Sequence, residues 1–124
     1  MAKACNDDVL DGMLDIIALA TVMTVCNAQP TTRTEAVTTF ALADVAMVAG
    51  DGNDYTIGDG DTSGRKVTVA TKTGVTVDTS GTATHVSLSD ATRLLYVTTC
   101  TSQVLTAGNT VDFPAWDVEV ADPV

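Results

Sequence analysis

The chain has 124 residues and a mass of 12.8 kDa, enough for one domain spanning residues 1–124. Six Lys and Arg against sixteen Asp and Glu give a formal net charge of −10 and a pI near 4.1, which argues against nucleic acid or an anionic membrane as the main partner, since both demand a basic face. With 45% hydrophobic residues the chain is too apolar to stay unfolded, only 4% are aromatic, and Thr and Val fill 39 of 124 positions, so the expectation is an aliphatic core between β-strands.

The first predicted element is a helix over about residues 7–19. Asn6 or Asp7 can cap it, the early aspartates suit the positive end of its dipole, and Leu10, Met13, Leu14 and Ile17 recur at helical spacing, with Val9 and Ile16 widening the stripe. Gly12 weakens this helix by roughly 1 kcal/mol relative to Ala, so the helix depends on docking to something. The apolar run 16–26 is far shorter than the roughly 20 residues a bilayer demands, and four aspartates precede it where a signal peptide carries positive charge. No signal peptide is expected, and synthesis in a cytoplasm starts the thiols reduced.

From Ala20 to Cys26 the β-branched content favours a strand. A loop with Pro30 follows, then a helical turn near Thr34 to Thr38 and a second strand from Ala41 to Val48. Residues 50–64 hold five glycines and four aspartates and read as one long loop. Lys66 to Val69 and Val75 to Asp78 alternate strictly around Lys72-Thr73-Gly74 and read as a hairpin. Strands follow at Thr84 to Ser89, Arg93 to Cys100 and Val111 to Val120, the last with a bulge at Pro114-Ala115, where the inward phase shifts. About seven short strands with regular turns predict a mainly β fold, an antiparallel β-sandwich or small barrel with one N-terminal helix.

The chemistry-bearing residues are few. Asp51, Asp54, Asp59 and Asp61 are the calcium candidates, because a hard cation needs several carboxylate oxygens close together. The run from Asp51 nevertheless departs from the EF-hand loop, with Tyr55 at the fifth position, Thr56 in place of the glycine and Thr62 where the bidentate Glu belongs. Tandem copies of the calcium β-helix nonapeptide are missing too. His85, the single histidine, alternates with Ser87 and Ser89 on what reads as the polar face of a half-buried strand. Neither a nucleophile elbow nor an oxyanion signature accompanies it. Asp78, Asp112, Asp117 and Glu119 read as solvent-side strand positions, with no pair marked out for acid–base work. Catalysis, a cofactor and a resident metal are therefore not expected. Cys5, Cys26 and Cys100 are too widely spaced for a metal pattern; they are either inert thiols or disulfide candidates, with Cys5 near the terminus able to reach a neighbouring subunit.

Two stretches carry a resemblance. Asp59-Gly60-Asp61-Thr62-Ser63-Gly64-Arg65-Lys66-Val67-Thr68-Val69 and Ser80-Gly81-Thr82-Ala83-Thr84-His85-Val86-Ser87-Leu88 look like small tailed-bacteriophage virion proteins of about this length. The opening helix, Gln29-Pro30-Thr31-Thr32 after a Cys-containing strand, and the ending from Asn109 through Val120 fit the same layout, so that the similarity runs from about Asp7 to Asp122. These are turns and strand edges, and no catalytic residue carries over. The resemblance implies a non-enzymatic structural protein of the virion, working as a homo-oligomer. Its expected place is capsid decoration or cement against the major capsid protein, or alternatively attachment to tail fibres, tailspikes or neck. The reading from a different class is a calcium-dependent surface-binding module built on the four loop aspartates, against which the scarcity of aromatic platforms (Tyr55, Tyr96, Trp116) counts.

Overall fold

A computed structural model describes residues 5–121, in which the chain forms one helix and nine strands in antiparallel sheets, a mainly β, sandwich-like fold. Helix α1 spans Asp7–Ile17. Asn6 is its N-cap, with the side chain accepting from the Asp8 amide at 2.7 Å, and Asp7 and Asp8 occupy the first turn. Leu10 and Leu14 are buried and Ile17 packs partly against the core, but Val9, Met13 and Ile16 point to solvent. Helical spacing finds α1, but only a narrow stripe of its apolar residues meets the body.

One layer is the sheet β2-β1-β6-β7, made of β1 (Val22–Cys26), β2 (Ala41–Ala46), β6 (Gly81–Ser89) and β7 (Leu94–Leu105). Met23 and Val25 of β1 lie opposite Leu88 and Val86 of β6 and face the core. On the other face Thr24 lies opposite Ser87, and both are fully buried, with their hydroxyls hydrogen-bonded to each other. The expected polar, solvated face of β6 is therefore covered. The helical turn Glu35–Thr39 closes over it; the Cys26 thiol donates to the Ala36 carbonyl, and Arg33 Nε donates to the Asp90 carbonyl at 2.7 Å. The Thr24 and Ser87 hydroxyls satisfy each other there, while the buried Ser89 hydroxyl has no partner among the described residues, so alternation of polar residues marks a second buried face rather than a wet one.

The opposing layer is built from β3 (Tyr55–Asp59), β4 (Arg65–Val69) and β9 (Trp116–Val120) in the order β3-β4-β9, and from the pair β5 (Lys72–Thr76) with β8 (Thr110–Phe113). Two expectations change here. The 50–64 segment is not one loop: β3 runs through it and pairs with β4, Tyr55 opposite Val69 and Asp59 opposite Arg65. The 66–69 and 75–78 segments do not pair with each other; β4 pairs with β3 and β9, and β5 with β8.

What sequence reads as a hairpin and a bulged last strand is one long ribbon. Val69 lies opposite Trp116 and Lys72 opposite Phe113, so β4–β5 and β9–β8 run side by side and are interrupted where Ala70-Thr71 faces Pro114-Ala115. Pro114 has no N–H to give to a ladder, and the Ala70 N–H turns away to the Asp54 carbonyl at 2.9 Å. The ribbon changes sheets at this break. Its far end joins β2 through the Ala43–Val77 bridge and the Asp78 amide, which donates to the Leu42 carbonyl at 2.8 Å.

The core between the layers contains Met23, Val25, Leu88, Tyr55, Val67, Val69, Val75, Val77 and Phe113, with Leu14 and Ala18 of the helical end packed onto it. Tyr55 is completely buried and its hydroxyl donates to the Ala20 carbonyl at 2.8 Å. Arg65 fixes α1 across the layers with a bidentate pair to Asp11, at 2.7 and 3.2 Å, while its third nitrogen reaches Asp59 at 2.8 Å.

Candidate functional site

The four calcium candidates are not gathered. Strand β3 separates Asp51 and Asp54 at one end from Asp59 and Asp61 at the other, and a strand advances about 3.3 Å per residue. Each carboxylate also has a local task. Asp51 accepts from the Ile57 amide at 3.0 Å. Asp54 accepts from the Val48 amide at 2.6 Å and from Lys72 at 3.0 Å, Asp59 pairs with Arg65, and Asp61 pairs with Lys66. The Val48 amide, aided by Lys72, holds the Asp54 carboxyl below its ordinary value. No group of three His, Cys, Asp or Glu side chains able to hold a metal ion exists among the described residues. The aspartates secure turns and strand ends.

His85 is half-buried with Nδ1 2.8 Å from the Thr84 hydroxyl, and it forms no ion pair with a carboxylate among the described residues. Cys26 is buried, Cys5 and Cys100 are half-buried, and all three are free thiols. Burial pushes the Cys26 and Cys100 thiols up, away from the reactive thiolate. Asp78, Asp112, Asp117 and Glu119 are exposed as expected. Asp112 accepts from the Gly74 amide at 2.8 Å, Glu119 accepts from Thr62 at 3.1 Å, and Asp117 lies 3.5 Å from Lys66. Asp78 adjoins Asp44, and the carboxyl of Asp44 is raised by partial loss of water and by its acidic neighbour.

An apolar cleft of about 260 Å³ opens between β7 and the β8–β9 corner, walled by Val86, Cys100, Phe113, Pro114 and Trp116. Tyr96 and Trp116 stack beside it with ring centroids 6.0 Å apart, and the Trp116 indole N–H is buried without a hydrogen-bond partner among the described residues. The cleft offers one carboxylate, Asp117, and a thiol held in its neutral form. That set can hold an apolar group but supplies no activated nucleophile. Of the three aromatic side chains available for ligand stacking, Tyr55 is withdrawn into the core.

The helix that sequence expects to dock onto something carries an exposed apolar surface. Val9 is 62% exposed, Met13 56%, Ile16 49%, Leu19 47% and Val48 60%. The Gly50 amide donates to the Ala18 carbonyl and the Met47 amide to the Thr21 carbonyl, which brings Val48 to the C-terminal end of α1 beside Leu19. The patch has a detectable signal, namely that apolar residues on α1 span more of its circumference than one buried stripe uses. No helix among the described residues is long and apolar enough to cross a membrane.

No protein-family model matches the chain, no curated protein matches it, and no solved structure matches it. The resemblance to phage virion proteins rests on the quoted residues alone.

Proposed function

We propose that this chain is a non-enzymatic structural component of a tailed-bacteriophage virion, a capsid decoration or cement protein that stabilises the particle as a homo-oligomer against the major capsid protein. The observation that carries the assembly role is the apolar patch: of the six large apolar side chains that stand exposed among the described residues, five lie on α1, at its end or at Val48. A patch of that kind on a chain of net charge −10 suits a protein kept soluble by its charge until a partner covers it. The virion assignment follows from the sequence resemblance, and the patch is what such a role requires.

Electron cryomicroscopy of the purified particle tests this reading. Copies distributed over the icosahedral shell in contact with the capsid protein are the expected result. Copies confined to tail fibres, spikes or neck would move the protein to the tail, and absence from the particle would overturn the virion reading.

A further inference from the structure

We infer that α1 is the docking helix of this protein, and that its occupant is a different protein presenting an apolar groove edged by Lys or Arg rather than a second copy of the chain. The inference rests on the virion reading for the identity of the particle, but the surface itself is argued from α1. Successive side chains on an α-helix turn by about 100°, which sets Val9, Met13 and Ile16 about a third of a turn from the buried Leu10 and Leu14. Asp11, Asp15 and Asp8 occupy the opposite flank, and α1 carries no basic residue. Arg65 is engaged by Asp11 and Asp59, while Asp8 and Asp15 have no ion pair among the described residues.

Gly12 sits between the apolar stripe and the acidic flank. A side chain at Gly12 would meet nothing within 4 Å among the described residues, and its φ is not positive, so neither packing nor backbone geometry there calls for glycine. What a bare backbone at this point does provide is close approach by something outside the chain. Charge decides between occupants. Two α1 helices packed face to face bring aspartates together on molecules that each carry −10, whereas a groove with a basic rim satisfies the stripe and the flank at once.

The test uses particles purified without this chain, to which purified protein is added back and the bound fraction measured against salt. Wild-type protein is expected to bind, and Val9→Ser with Ile16→Ser to lose about tenfold or more. Asp8→Lys with Asp15→Lys should weaken binding several-fold and flatten its salt dependence. Gly12→Ala separates docking from folding: it should raise the Tm of the free protein by a few degrees while reducing binding. Variants that bind like wild-type would overturn this inference alone, and wild-type protein that never enters particles would overturn the virion reading together with it. A wild-type oligomer that dissociates in the Val9→Ser, Ile16→Ser variant, followed by light scattering, would assign the face to a second copy and equally overturn it.

Discussion

Tyr55 shows how much a single side chain carries in a domain with few aromatics. It reaches through the core from β3 to the Ala20 carbonyl between α1 and β1, which ties the two layers by one buried hydrogen bond. Tyr55→Phe keeps the ring and strands that carbonyl, and it should cost about 1–2 kcal/mol in urea unfolding with an unchanged m-value. Asp44 shows the opposite sign. Its folded pKa lies above the unfolded one, so its contribution to stability is full below the ordinary carboxylate range and is lost as pH rises through the raised value. Asp44→Asn removes the repulsion with Asp78. Melting curves from pH 4 to 8 should show the variant more stable than wild-type at neutral pH, with the advantage vanishing toward acid.

At the scale of elements, Gly64 controls the entry to β4. Its φ is +70°, and a Cβ there would lie 1.9 Å from the Val120 carbonyl oxygen where β9 ends beside β4. Gly64→Ala should cost about 2–3 kcal/mol and lower the thermal midpoint accordingly. The same region shows what sequence makes legible. Strict alternation at Lys66 to Val69 marked a strand correctly, and the phase shift between Phe113 and Trp116 marked the right break. Alternation does not name a strand's partner, however, and the proximity of 66–69 to 75–78 suggested a local pairing that the ribbon replaces with two distant ones. Strand β3 was hidden because glycine and aspartate dominate both its flanks, although Tyr55-Thr56-Ile57 alone carries the pattern. The make-up of the apolar patch is hidden for a related reason: on a helix, composition tells which residues are apolar, while only the neighbouring layer decides which of them are covered.

For the whole molecule, the distribution of thiols makes a prediction about chemistry in the intact fold. Cys26 lies fully buried beneath the Glu35–Thr39 turn, and Cys100 stands in the cleft wall with its pKa raised by burial. A water-soluble thiol reagent should therefore leave Cys26 unmodified in native protein, react slowly at Cys100, and reach all three cysteines only after denaturation. Mass spectrometry of the labelled chain checks the order. On the proposed virion role, particles run on gels with and without reductant report whether any thiol bridges subunits after release, and an identical monomer band in both lanes would exclude the bridge.

The broken ribbon also governs when the molecule can come into being. Strand β1 has no partner on one side until β6 is available 63 residues later at the Thr24–Ser87 pair, and β4 lacks β9 until the last strand has been made. The β1–β2 and β3–β4 pairs can form early, but neither sheet is complete without the later strands. A β topology that also needs such distant pairings folds slowly, on the order of milliseconds to seconds, and on a ribosome it waits for β9. The growing chain thus spends its synthesis exposed, and its excess of acidic residues keeps nascent copies apart through that interval, before any finished copy exists to be delivered.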